Sequence, residues 1–191
     1  MNILRVVGIG GAIRTGSTSE LALAACLDAT ARLGARTTLF SGDALDLPLY
    51  RPGVTPPKAR ALLDSIRAAD GVILCTPAYH GAMSGVLKNA LDYVEELRLD
   101  DRPYFDGRAV GVAVCAFGAQ AIGTTLVSLR TVVHALRGWP TPLALGLTAT
   151  PETFDAQGRP ASPELQGQVD MLAHQIVTFA QTMRTTAPPA S

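Results

Sequence analysis

The chain has 191 residues, 48% of them hydrophobic and 17% charged, which suits one domain with a substantial apolar core. Its 16 basic and 16 acidic residues cancel, so neither nucleic acid nor an anionic membrane surface is predicted as a partner. No apolar run approaches the length of a membrane span and the first residues lack a signal-peptide pattern, which together predict a cytoplasmic protein.

Short apolar runs alternate with longer segments of helical periodicity along the chain. The predicted strands cover residues 4–7, 36–41, 72–75 and 109–115, with a weaker fifth strand at 143–147. The predicted helices cover residues 20–33, 58–69, 85–97, 124–136 and 164–183. We therefore expect residues 1–183 to form a single domain and residues 184–191 to form a frayed, disordered tail.

Most of the predicted strands are apolar throughout, which is typical of a parallel sheet covered by helices on both faces. The alternation predicts an α/β fold of three layers, with a doubly wound five-stranded sheet in the order 2-1-3-4-5. In such a sheet, ligands bind beyond the carboxyl ends of the strands, at the switch beside the first strand. The loops at residues 10–17, 77–84 and 116–123 should therefore meet at one site.

The cysteines and histidines are isolated from one another along the sequence. The cysteines stand in apolar contexts, so we expect buried thiols in a reducing compartment rather than disulfides or metal ligands. The histidines show no metal-ligand spacing, and no metal site is predicted. These residues are Cys26, Cys75, Cys115, His80, His134 and His174.

The loop after the first strand has the composition of a phosphate-binding site. Residues 8–19 have the sequence Gly-Ile-Gly-Gly-Ala-Ile-Arg-Thr-Gly-Ser-Thr-Ser, and a helix follows. Glycines that end a strand, together with a helix N-terminus, leave backbone N–H groups and a partial positive charge available to an anion. Arg14 adds a guanidinium, and Ser17, Thr18 and Ser19 add hydroxyl donors.

Two common nucleotide-binding motifs do not fit this loop. A dinucleotide fingerprint starting at Gly8 needs its third glycine where Ile13 stands, and a Walker A loop needs a lysine where Ser17 stands. A serine and arginine site without lysine suits a terminal monophosphate. The alternative is a glycine-rich turn in which Ser17 or Ser19 only caps the helix.

The loop after the third strand suits a flat heteroaromatic ring. It offers an aromatic face at Tyr79, an imidazole at His80, a thioether at Met83 and close backbone approach at Gly81. A monophosphate on one loop and a planar ring on another together describe flavin mononucleotide, FMN. An ordinary surface loop is the alternative.

Two motifs resemble those of the NAD(P)H-dependent FMN reductase family. The first is Gly-x-x-Arg-x-x-Ser after the first strand. The second and more specific one is Pro-x-Tyr-His-Gly-x-x-Ser-Gly-x-Leu-Lys-Asn-x-Leu-Asp at residues 77–92. The resemblance covers about residues 6–142 and implies a flavodoxin-like fold. The family includes flavin reductases of sulfonate utilisation, chromate and quinone reductases, and azoreductase-like members.

The resemblance implies specific cofactor contacts in this chain. Arg14, Ser17 and Ser19, with Thr18 between them, would hold the FMN phosphate. The third loop would contribute Phe117 and Gly118, the glycine near the pyrimidine side of the ring. Family members commonly have serine where this chain has Ala12, which implies one hydroxyl fewer for the phosphate. The residues along the isoalloxazine ring would be Pro77, Ala78, Tyr79, His80 and Gly81.

The implied reaction passes a hydride from NADPH or NADH to FMN, and because the cofactors carry this chemistry no catalytic side chain is predicted. Reduced FMN would supply a partner flavin-dependent monooxygenase. An FMN-bound reductase of quinones, azo dyes or chromate stays open, as does an electron carrier without reductase activity. The resemblance also implies a homodimer or homotetramer, in which helix 85–97 and residues 93–104 help complete the flavin site.

Overall fold

The computed structural model describes residues 3–186, which form a three-layer α/β/α structure. The strands are β1 Arg5–Gly10, β2 Arg36–Phe40, β3 Gly71–Tyr79, β4 Ala82–Met83, β5 Ala109–Ala116, β6 Trp139–Pro140 and β7 Leu145–Thr148. The helices are α1 Thr18–Arg32, α2 Pro57–Ala68, α3 Gly85–Tyr93, α4 Ala119–Ala135 and α5 Pro163–Thr186. Short 3-10 helices cover Gly42–Leu45 and Val94–Leu97. No helix in this described part is long and apolar enough to cross a membrane.

The sheet follows the order β2-β1-β3-β5, with β6 and β7 both paired to the outer edge of β5. These pairings are parallel, and the predicted order 2-1-3-4-5 is confirmed. The fifth strand is divided, since Trp139 pairs with Ala109 and Leu145 pairs with Ala113 four positions later. Pro142 lies between β6 and β7, and because proline has no backbone N–H group it cannot donate a hydrogen bond to β5.

Apolar side chains pack against both faces of the sheet because successive residues of a strand point to opposite faces. Ile73 and Cys75 of β3 face the layer that contains α1 and α5. Val72 and Leu74 face the layer that contains α2, α3 and α4. This double burial explains why the central strands show a continuous apolar run rather than an alternating pattern.

Several predicted boundaries of strands and helices were wrong. The third strand does not stop at residue 75 but continues to Tyr79, because the chain folds back into a hairpin with β4. Helix α4 begins at Ala119 rather than at 124, with Gly118 in the N-cap position. The predicted helix 85–97 is α-helical only to Tyr93 and ends in the 3-10 helix.

Helix α5 extends beyond the predicted end at residue 183. It continues to Thr186, and Arg184 forms an ion pair of 2.6 Å with Asp70, which directly precedes β3. The predicted tail is therefore helical over residues 184–186, and residues 187–191 lie outside the described part of the chain.

Gly11 allows the loops after β1 and β3 to pack closely. Its N–H donates to the Cys75 carbonyl at 2.7 Å. A Cβ atom at this position would lie 2.6 Å from the Ser84 hydroxyl and 2.9 Å from the Thr76 hydroxyl. Both hydroxyls belong to buried residues, so they have little room to move.

We expect Gly11→Ala to lower the free energy of unfolding by about 1–3 kcal/mol, because the added methyl group overpacks this contact. Urea denaturation measures the change. Gly123→Ala is the matched control, since no atom lies within 4 Å of its built Cβ and alanine favours the helix. Equal stability of the two variants would contradict this role of Gly11.

Arg108 directly precedes β5, at the amino edge of the sheet, and is 1% exposed. Its guanidinium donates to the carbonyl oxygens of Ala69, Arg67, Tyr104 and Asp106 at 3.0–3.2 Å. Burial lowers the pKa of Arg108 to about 10. The side chain thus connects the segments that precede β3 and β5.

Replacement of Arg108 by methionine should cost about 3 kcal/mol of unfolding free energy, because these carbonyl groups lose their donor inside the protein. The exposed Arg98 is the control, and Arg98→Met should change stability by less than about 0.5 kcal/mol. Thermal and urea denaturation of both variants test the difference. A loss of similar size in the two variants would show that the buried network is not stabilising.

Candidate functional site

The loop after β1, the end of β3 and the end of β5 with the residue that follows it meet at the carboxyl edge of the sheet and enclose a cleft of about 460 Å³. The geometry agrees with the expectation that ligands bind beside the first strand of a doubly wound sheet. The cleft is lined by Gly11, Ala12, Ile13, Arg14, Ser17, Thr18, Ser19, Pro77, Ala78, Tyr79, Val86, Cys115, Ala116, Phe117 and Ala149.

Most of the residues predicted to bind a cofactor line this cleft. They are Arg14, Ser17, Thr18, Ser19, Pro77, Ala78, Tyr79 and Phe117. The predicted residues outside the lining are His80, Gly81 and Gly118. His80 and Gly118 directly follow the lining residues Tyr79 and Phe117, and Gly81 is two positions beyond Tyr79.

His80 and Gly81 form the turn of the β3–β4 hairpin. Their φ angles are +54° and +80°, as in the two-residue turns that suit the right-handed twist of a hairpin. The Thr124 hydroxyl on α4 donates to the Gly81 carbonyl at 3.2 Å. This contact attaches the turn to the helix that follows β5 and places the exposed His80 ring at the tip.

Ser17 is the N-cap of α1, and its side chain accepts the Glu20 N–H at 3.3 Å. The Ser17 and Ser19 hydroxyl oxygens lie 3.3 Å apart, and both residues are buried. The N–H groups of Thr18 and Ser19 belong to the first turn, where an α-helix provides no internal acceptor. Ser17 therefore caps the helix and also lies in a cluster of donors that an anion can use.

Arg14 is exposed and lines the same side of the cleft. Its guanidinium makes no hydrogen bond or ion pair with any residue between 3 and 186. It is also the one charged side chain among the described residues that line the cleft. A guanidinium with its donors available can bind phosphate in a bidentate manner.

Large exposed apolar side chains also line the cleft, both in the loop after β1 and at the ends of β3 and β5. Phe117 is 90% exposed, Tyr79 is 59% exposed and Ile13 is 53% exposed. Pro77 and Ala78 near the end of β3 line the cleft as well. A planar ring that covers such side chains gains stability from the apolar area removed from water.

Several lining residues were not predicted individually. Ala116 and Ala149 follow or end strands at the sheet edge, and their small side chains leave room above the strands. Glu20 does not line the cleft, but it was also missed as a residue of the site. Its carboxylate accepts the Gly16 N–H in the loop at 2.5 Å. The Ser-x-x-Glu pattern from Ser17 to Glu20 is the sequence signal of a capping box and marks this residue.

The described cysteines are free and buried, and Cys115 reaches the cleft floor. Burial raises the pKa of Cys26 to about 12, so this thiol stays protonated at neutral pH. Within residues 3–186, no group of three or more His, Cys, Asp or Glu side chains is arranged to hold a metal ion.

The fold resembles that of solved flavoenzymes. It matches FerB, a flavoenzyme NAD(P)H:acceptor oxidoreductase from Paracoccus denitrificans, with a TM-score of 0.74 over 93% of this chain and 99% of that one. The two sequences are 23% identical, so this likeness establishes the fold alone.

Sequence comparison identifies closer relatives. An NAD(P)H-dependent FMN reductase of Pseudomonas aeruginosa is 30% identical over 161 residues, which cover 82% of this chain and 84% of that protein. A quinone reductase of Escherichia coli K12 is 34% identical over 135 residues, covering 68% and 69% of the two chains. The family model described as NADPH-dependent FMN reductase matches residues 4–150. The chain therefore belongs to the NADPH-dependent FMN reductase family.

Proposed function

We propose that this protein uses NAD(P)H to reduce FMN bound in the cleft, and that reduced FMN leaves to serve a flavin-dependent monooxygenase. One observation carries the proposal: the Arg14 guanidinium and the hydroxyls at the start of α1 line the same cleft as the exposed apolar side chains of Tyr79 and Phe117. Family membership supports FMN and NAD(P)H as the reacting pair.

The donor set fits the FMN phosphate. Arg14 supplies a charge, the hydroxyls of Ser17, Thr18 and Ser19 supply donors, and the start of α1 supplies N–H groups. Hydrogen bonds to a charged group contribute about 1.5–3 kcal/mol each, so Arg14 is a major part of the affinity for the phosphate.

The isoalloxazine ring fits the apolar side of the cleft. We propose that Pro77 and Ala78 lie along the ring, with Tyr79 and Phe117 at its exposed edge. The outer part of the proposed site consists of His80, Gly81 and Gly118. We propose that their backbone groups provide hydrogen-bonding positions at the ring edge.

FMN, when bound, supplies the redox chemistry by accepting a hydride from the reduced nicotinamide. The chain binds the phosphate, orients the ring and excludes water from one face with apolar side chains. None of the described lining residues is a histidine or a carboxylate, so the proposal assigns no side chain to proton transfer.

We further propose a cytoplasmic homodimer or homotetramer. Phe117 at the cleft rim and Val127 on α4 are 90% and 69% exposed, which leaves apolar area for a second copy to cover. The free thiols fit a reducing compartment.

A second candidate function is reduction of quinones or azo dyes by a protein that retains its FMN. The exposed Phe117 and Tyr79 favour it, because a flat organic acceptor can pack against them. Flavin exchange separates the two candidates: retained flavin predicts a yellow purified protein that reduces quinone without added FMN.

Arg14→Ala should raise the dissociation constant for FMN more than about tenfold, through loss of a charged phosphate contact. Riboflavin has no phosphate, so its affinity should stay the same. Flavin fluorescence titration measures both constants. Arg60→Ala on α2 is the control, as this exposed arginine makes a single long hydrogen bond to the Thr55 carbonyl. An unchanged FMN affinity in the Arg14 variant would refute the phosphate assignment.

The reaction is tested by adding NADPH or NADH anaerobically to the protein with FMN. We expect loss of the yellow flavin colour together with oxidation of the nicotinamide, at a rate that saturates with FMN. Transfer of reduced FMN is tested by adding a monooxygenase that requires it, admitting oxygen and measuring the product of that monooxygenase. Flavin that stays yellow with both nicotinamides would refute the proposed function.

A further inference from the structure

Glu20 directs its carboxylate from the first turn of α1 back toward the loop that precedes the helix. Oε2 accepts the Gly16 N–H at 2.5 Å, and Oε1 accepts the Ser41 hydroxyl at 2.6 Å. Ser41 directly follows β2, so the carboxylate connects the loop to the end of the neighbouring strand. Two short charge-assisted hydrogen bonds hold the negative charge in one position.

This charge lies beside the donors assigned to the FMN phosphate. Gly16 directly precedes Ser17, whose hydroxyl oxygen is 3.3 Å from that of Ser19. The carboxylate already accepts one N–H group of the loop, which is then unavailable to a ligand. A carboxylate in the first turn also interacts favourably with the positive end of α1, the same feature that attracts a phosphate.

The positive charge of the cleft is correspondingly small. Arg14 is the one charged residue in the described lining, and the fixed carboxylate of Glu20 offsets its attraction for an anion. Ala12 lines the cleft without adding a hydroxyl group. The exposed apolar side chains of Tyr79 and Phe117, by contrast, remain fully available to the flavin ring.

We infer that Glu20 is a specificity-determining residue that lowers the affinity of the loop for the FMN phosphate, so that FMN exchanges as a substrate. This inference rests on the proposed function and deepens it. Repulsion acts on the phosphate dianion and not on the uncharged ring. The chain therefore discriminates less strongly between FMN and riboflavin than it would with an uncharged residue at position 20, and it releases reduced FMN more readily.

Glu20→Gln tests the inference while preserving the local geometry. The amide oxygen can accept the Gly16 N–H, and the amide nitrogen can donate to the Ser41 oxygen. At low ionic strength, we expect the FMN dissociation constant to fall at least about threefold. This gain should shrink in about 0.5 M salt because screening weakens the repulsion. The riboflavin dissociation constant should not change.

Asp28→Asn is the matched control. Asp28 is an exposed residue of the same helix, about 12 Å further along its axis, and the substitution removes the same charge. It should leave the affinities for FMN and riboflavin unchanged. Melting temperatures of both variants establish that the fold is intact before the titrations are compared.

The inference is overturned if Glu20→Gln leaves FMN affinity unchanged or weakens it, which would assign Glu20 a purely structural role. It is also overturned if riboflavin binding tightens to the same extent, or if Asp28→Asn has the same effect as Glu20→Gln. Failure of the unmodified protein to bind either flavin would refute the proposed function instead.

Discussion

The parallel alignment of β1, β3 and β5 is the constraint on which the site depends, because it brings three loops to one edge of the sheet. The alignment alone does not bring the loops into contact. Gly11 adds the close approach, with its N–H bonded to the Cys75 carbonyl and no side chain to push against Ser84. The cleft is therefore a consequence of strand register combined with one position, Gly11, where a side chain would overpack the contact.

The two sides of the cleft differ in the forces they offer a ligand. The α1 side presents N–H groups, hydroxyls and the Arg14 guanidinium, which act over distance and weaken in salt. The β3 and β5 side presents apolar surface at Tyr79 and Phe117, which stabilises a ligand in proportion to the area covered. A nucleotide with a charged end and a flat apolar end matches this division, in agreement with membership of the FMN reductase family.

Glu20 illustrates how one helix terminus serves both folding and ligand binding. Its carboxylate stabilises the start of α1 and links the loop to Ser41, yet the same negative charge opposes a bound phosphate. A preformed loop loses less conformational entropy when a ligand binds. The fixed negative charge of Glu20, however, lowers the affinity for a negatively charged ligand. This balance is the one that the proposed exchange of FMN as a substrate requires.

The sequence by itself determined the sheet order and most of the cleft lining, because apolar strands, helix periodicity and the Arg14 to Ser19 loop are local patterns. Only the tertiary structure decided the β3–β4 hairpin, the divided fifth strand, the extension of α5 to Thr186 and the Glu20–Ser41 contact. The divided fifth strand and the extension of α5 depend on partners distant in sequence: β6 and β7 pair with β5, and Arg184 pairs with Asp70. Local sequence patterns cannot predict such contacts, because the groups that form them come together only when the chain folds.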